Sequence, residues 1–236
     1  MAFYRKRVFP VLAGLLWLAF LTLDLTGAGS STWVKFAAIC LCCVTALAGA
    51  KTADGQVVAA ALCFTVAADW FLLVRNDHYG VGVGLFIVVQ ALYAYRLYRL
   101  RGNQYSKRGL PLRLISLLLP LYHILSLIIY GSIFMVLAMR WRFAPDPDVL
   151  QSLAFILPPD GISYLIFPLF YFFNLCLNTA EAFTLKKSLF AWGLALFVCC
   201  DICVGACNLG LATAFTWWGS WLFYLPSQVL IVLSQE

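Results

Sequence analysis

The sequence predicts an all-α fold, a polytopic membrane bundle of eight transmembrane helices. Three observations predict it. Hydrophobic residues make up 64% of the 236 positions and charged residues only 11%, with a mean hydropathy of +0.91. Ordinary soluble domains are about half apolar and about a quarter charged, so this chain could not cover a soluble surface. The apolar residues also come in runs close to the roughly 20 residues that a span needs. No linker or shift of composition separates these runs, so residues 1–236 read as a single transmembrane domain.

The spans are 9–26, 32–50, 56–74, 79–97, 113–138, 162–183, 188–209 and 217–234. The first follows Arg5-Lys6-Arg7, a start that imitates a signal peptide. No small-residue cleavage site stands before polar sequence, so it is expected to be a retained helix. The fourth opens on Gly80-Val-Gly-Val-Gly84, which lacks the preceding soluble strand and the spacing of a dinucleotide fingerprint. It reads as a close-packing surface of a membrane helix. Pro111, the stretch Ala144-Pro-Asp-Pro-Asp148 and Pro158-Pro159 break helices on either side of the fifth span.

Lys and Arg set the orientation. With the N-terminus inside, twelve of the sixteen fall on the inner side, six of them in 96–113, and only Lys35, Arg75, Arg140 and Arg142 fall outside. Loops rich in Lys and Arg stay cytoplasmic, so both termini are expected there. The net charge of +6 then reflects orientation and contact with anionic lipid. Nucleic acid is excluded as a partner, because binding it needs a soluble basic surface. Eight of nine cysteines lie in three apolar stretches. Cys200, Cys203 and Cys207 share a helical face, yet no His-rich partner accompanies them, so they read as packing and no metal is expected.

Spans three and seven look alike. Asp69 is followed by Asn76, and Asp201 by Asn208, seven residues on in both. In an α-helix that spacing keeps both residues on one face, about 10.5 Å apart along the axis. The next span in each case has a central glutamine, Gln90 or Gln228. A four-plus-four internal repeat is therefore possible, with coincidence in a biased composition as the competing account.

A carboxylate in hydrocarbon costs about 2.5–3.5 kcal/mol, so such residues face the bundle interior and are candidates for function. Asp69 and Asp201, each with apolar neighbours on both sides, are the candidate catalytic pair. Asp24 and Glu181 sit near span ends and read as interfacial or paired charges. The sixth span has a polar stripe of Asn174, Asn178 and Glu181 at i, i+4, i+7. Gln90 and Tyr93 share a face of the fourth span, and Tyr224 and Gln228 a face of the eighth. Gln90, Tyr93, Asn174, Asn178, Tyr224 and Gln228 are candidate substrate contacts, with interhelical hydrogen bonding as the alternative. His123 shares a stripe with Ser116, Ser126 and Tyr130, but no Ser sits in a Gly-x-Ser-x-Gly elbow, so His123 is expected to pack. His78 is expected to be a solvated loop residue.

The order of motifs resembles the lysoplasmalogenase (YhhN-like) membrane family. The matching residues are Ala61-Leu62-x-Phe64 leading into Ala68-Asp69, Leu72-Leu73, Gly84, Phe86, Gln90 with Tyr93, Leu196-Phe197 leading into Asp201, and Tyr224, Gln228 and Ile231. Ala68 and Cys200 stand where that family commonly has Gly or Ser, and Gln90 where it often has His. A hydrogen-bonding role is thus expected at Gln90, not a titrating one. The resemblance implies hydrolysis of the vinyl ether bond of a lysophospholipid, the lysoplasmalogen, to a fatty aldehyde and glycerophospho-ethanolamine or -choline, with no cofactor. Two carboxylates suit that chemistry. A vinyl ether is protonated at carbon, and water attacks the resulting oxocarbenium ion. Glycosidases meet a related cation with one carboxylic acid and one carboxylate. Which aspartate takes which role is open at this level. So are two other readings, a lipid or small-molecule transporter built of half-bundles, and a protein whose polar residues only pack helices.

Overall fold

The computed structural model describes residues 3–101, 161–208 and 213–235. These form seven α-helices and no strand: α1 (Phe9–Thr26), α2 (Thr32–Ala48), α3 (Ala53–Asp69), α4 (Tyr79–Arg101), α5 (Gly161–Thr184), α6 (Ser188–Asn208) and α7 (Ala214–Leu233). A π-helical turn, Tyr4–Val8, leads into α1, and another, Trp70–Arg75, extends α3. The fifth predicted span, 113–138, lies outside the described residues, with His123 and the loop 140–160. Tyr4–Thr26, Ala53–Arg75, Tyr79–Arg101 and Ser188–Asn208 are long and apolar enough to cross a bilayer, and α2 and Trp218–Leu233 are shorter apolar helices. Leu15, Leu18, Val44, Leu47, Trp192 and Ile202 stand exposed on these helices. So much outward apolar surface suits lipid and not water, and the chain is a multi-pass membrane protein.

Local chemistry sets the helix ends. Gly27 takes a left-handed conformation (φ 64°) after α1 and returns its N–H to the Leu23 carbonyl, the usual glycine stop. Thr52 caps α3 by accepting from the Gly55 N–H at 3.0 Å. Thr213 and Thr216 form a reciprocal capping box on α7. Within the helices Thr45 and Thr65 return their hydroxyls to the carbonyls of Leu41 and Ala61, which satisfies them where no water is at hand.

Arg5 and Gln235 both pack around Gly49, so both termini meet at one end of the bundle. Gln235 Nε2 donates to the carbonyls of Ala46 and Gly55, each at 3.1 Å. Arg96 is tied in at the same end. Its Nε and Nη2 hold the two oxygens of Asp54 at 2.7 and 2.8 Å, Nη1 and Nη2 reach Ser234 Oγ and O at 2.8 and 2.7 Å, and its guanidinium lies 4.4 Å from the Phe190 ring centre. Arg101 faces Glu181 at 3.4 Å. At the opposite end Asp24 receives Ser31 Oγ and pairs with Lys35 at 2.7 Å. Asp24 and Glu181 are thus paired charges near helix ends.

Helices α6 and α7 approach closely at Gly193. A Cβ there would stand 2.9 Å from Ile231 Cγ1, 3.1 Å from the Ser227 carbonyl and 3.2 Å from the Ile231 nitrogen. Two of these three neighbours are backbone, which cannot swing aside. Gly193→Val is therefore expected to destabilise the protein by about 1–3 kcal/mol, the usual cost of overpacking, seen as a lower melting temperature in detergent. An unchanged midpoint would show that the helices part without penalty.

Candidate active site

Asp69 ends the α-helical part of α3, and the π-helical turn starts at the next residue. Single π turns inside α-helices are frequent at functional sites. Here the wider turn shifts the helical register of the residues after Asp69. Asn76, which closes it, is left-handed at φ 51°. In α6 the α-helix runs unbroken from Asp201 to Asn208. The two Asp-x6-Asn segments therefore differ in helical register, and a common α-helical face for Asp69 and Asn76 is not what forms.

All four residues nevertheless line one cavity of about 860 Å³. The lining runs from the 76–79 turn and Asn208 inward to Asp69, Asp201, Tyr171 and Tyr224. Between these polar positions it is apolar and aromatic, with Phe71, Phe86, Phe172, Phe197 and Trp221 among the side chains. A cavity of this size and character suits an organic ligand fixed by a few polar groups.

Each aspartate is bonded by a tyrosine from another helix. Tyr224 Oη on α7 donates to Asp69 Oδ2 at 2.7 Å. Tyr171 Oη on α5 donates to Asp201 Oδ2 at 2.6 Å. Both distances are ordinary for hydroxyl-to-oxygen hydrogen bonds. The Phe197 ring stands 5.4 Å from Tyr224 and 6.4 Å from Tyr171, and Phe86 stands 5.6 Å from Tyr171 and 5.8 Å from Phe197. One aromatic cluster thus spaces both pairs.

The other candidates sit deeper or aside. Asn178 Nδ2 donates to the Gln90 carbonyl at 2.9 Å and to Gln90 Oε1 at 3.0 Å, an interhelical bond. Tyr93 is fully buried against Phe190, ring centres 5.4 Å apart. Gln228 donates to Ser227 Oγ at 3.1 Å. Asn174 returns its amide to the Phe170 carbonyl at 2.8 Å within its own helix. Tyr224 belongs to the cavity lining as described, whereas Gln90, Tyr93, Asn174, Asn178 and Gln228 do not. Tyr171 was not among the residues singled out from the sequence.

The mouth is polar. Asp77 pairs with Arg75 at 2.9 Å and with His78 at 3.0 Å, and Asn208 reaches Tyr79 Oη at 3.5 Å. The His78 bond first, with Arg75 after it, holds the Asp77 carboxyl below the ordinary carboxylate range, against some desolvation. His78 is largely exposed, as expected, and it also forms part of the cavity rim. Among the described residues no cluster of three His, Cys, Asp or Glu side chains could hold a metal.

The model of the YhhN family matches residues 30–235. No curated protein and no solved structure matches the chain.

Proposed function

Because the chain belongs to the YhhN family, the lysoplasmalogenase-like membrane proteins, we propose that it hydrolyses the vinyl ether bond of lysoplasmalogens. The products are a fatty aldehyde and glycerophospho-ethanolamine or -choline. The observation that carries this reading is that Asp69 and Asp201, from different helices and each under a tyrosine hydroxyl, both line one largely apolar cavity. One carboxylic acid protonates the vinyl carbon. The other carboxylate stabilises the cation and takes a proton from the attacking water, as carboxyl pairs do around glycosyl cations.

The cavity also favours hydrolysis over transport. Below Tyr224 the bundle is filled by Tyr93, Leu97, Phe190 and Leu194, all at most 1% exposed, so among the described residues the lining ends there and does not continue toward the termini. In this reading Gln90, Tyr93, Asn178 and Gln228 support the cavity floor from beneath and do not touch substrate. Eight spans, a four-plus-four duplication and cytoplasmic termini complete the proposal. The duplication is supported by the joint presence of Asp69, Asn76, Asp201 and Asn208 in one lining.

The direct test is aldehyde release when purified protein meets a lysoplasmalogen, with a lysophospholipid bearing an ester at the same position as control. Aldehyde from the first and none from the second is the expected result. No aldehyde would overturn the assignment. The orientation has its own test. A cysteine placed at Ser106 should stay unlabelled by an impermeant thiol reagent applied to intact cells, measured against the chain with its native cysteines. Labelling from outside would invert the topology.

A further inference from the structure

The two Asp–Tyr pairs are alike in bonding but not in setting. Asp69 is 4% exposed and Tyr224 5%, and the Trp221 ring closes on Tyr224 edge-on at 5.0 Å. Asp201 is only half-buried on the cavity wall. Among the described residues each carboxyl has one hydrogen bond, from its tyrosine to Oδ2, so its other oxygen is left for a reacting group. Two carboxyl groups in one site divide their work by environment. The one shut into apolar surroundings keeps its proton and acts as acid, and the one reached by water acts ionised.

Resting on the vinyl-ether reading, we propose that Asp69 is the proton donor and Asp201 the carboxylate that accepts a proton from the attacking water, with Tyr224 and Tyr171 as their positioning residues. The steps balance. Asp69 gives its proton to the β-carbon of the vinyl ether. The C=C electron pair forms the new C–H bond, and the α-carbon becomes an oxocarbenium ion. Water adds to that carbon and loses a proton to Asp201, leaving a neutral hemiacetal. The hemiacetal C–O bond to glycerol then breaks. The departing oxygen takes the proton from Asp201, and the hemiacetal hydroxyl returns its proton to Asp69. Aldehyde and alcohol leave, and both carboxyls are restored.

Each tyrosine follows its partner in this scheme. A phenol on Asp69 Oδ2 steadies the carboxylate that appears as the proton departs. A phenol on Asp201 Oδ2 fixes the carboxylate that must meet water. Loss of the first hydroxyl slows protonation of carbon. Loss of the second slows capture of a cation already formed.

Hydrogen exchange separates the two. The full-length protein is incubated with a lysoplasmalogen in D₂O, and recovered substrate is analysed by mass spectrometry. Asp201→Asn should form the cation but capture it slowly, so the proton returns and the vinyl β-hydrogen exchanges for deuterium faster than aldehyde appears. Asp69→Asn should exchange nothing above a protein-free control. Tyr171→Phe should release aldehyde several-fold more slowly, with KM unchanged and exchange now visible. Tyr224→Phe should be slowed without exchange. These Phe variants keep the rings in place and so preserve the test if an Asn variant fails to fold. Exchange by Asp69→Asn but not Asp201→Asn, or by Tyr224→Phe but not Tyr171→Phe, would overturn the assignment. So would absence of exchange from all four while wild-type protein releases aldehyde. A wild-type protein that releases no aldehyde would instead overturn the vinyl-ether reading, and this assignment with it.

Discussion

Asp69→Asn and Asp201→Asn are each expected to lower the rate of aldehyde release at least about a hundredfold, the lower range for loss of a general acid or base. Asparagine keeps the size of the side chain and can still accept from Tyr224 or Tyr171 through its carbonyl oxygen, so the 2.7 and 2.6 Å contacts have a neutral replacement. What it cannot do is deliver a proton to carbon or hold one from water. Folding should survive, because removal of an ionisable group from a membrane interior relieves desolvation. Glu181→Gln is the control. Glu181 faces Arg101 at the end of the bundle that holds the termini and is absent from the cavity lining, so turnover should stay within a few-fold of wild type. Near-normal turnover in either Asp→Asn variant, with an unchanged melting curve, would make that aspartate structural.

Asp54→Asn should cost stability on a comparable scale, about 3–5 kcal/mol, the usual penalty for stranding one partner of a buried ion pair. Arg96 is 2% exposed, while the Asp54 side chain keeps 16%. The arginine is therefore the partner that cannot turn to water when its carboxylate goes. Ser234 and the Phe190 face would still hold it, but neither carries a compensating charge. The measurement is the melting midpoint in detergent. The double variant Asp54→Leu with Arg96→Met should recover more than half of the loss, since apolar replacement of both partners is often neutral. Equal stability of Asp54→Asn and wild type would show that Arg96 is solvated by another route.

Much of this arrangement could be read along the chain. The cost of a carboxylate in hydrocarbon singled out Asp69 and Asp201, and both line the cavity. Tyr171 escaped notice although a signal for it exists. It extends the stripe of Asn174 and Asn178 one turn earlier, at i, i+3 and i+7, but it lies between Phe170 and Phe172 and reads as one more aromatic. Arg96 entered the sequence argument only as one of many inner-side positive charges. Its partner Asp54 lies 42 residues away, and no local pattern reports a pairing of that range. The π turn at Trp70–Arg75 was also illegible, since its residues are apolar apart from the closing arginine and nothing in them specifies a widened turn. It separates two segments whose sequences look duplicated. Polar periodicity located these side chains but not their partners: Gln90 and Asn178 bond each other across helices, while Tyr224 bonds Asp69.

The cavity mouth, at the 76–79 turn and Asn208, lies at the opposite end of the bundle from Arg5 and Gln235. Asp201 stands seven helical residues inward of Asn208, about 10.5 Å along the axis. A single-tailed ether lipid carries its vinyl bond only a few atoms below the headgroup, near the top of the hydrocarbon. Such a molecule entering from the surface at this mouth reaches the carboxyls without leaving its own leaflet or turning over. The two products then part by solubility. In the proposed reaction the aldehyde would stay with the acyl chains, and the glycerophosphate fragment would wash into the aqueous compartment facing the mouth. The proposed hydrolysis would thus be vectorial in outcome without moving anything across the membrane: one leaflet would be depleted, and one compartment would receive the headgroup.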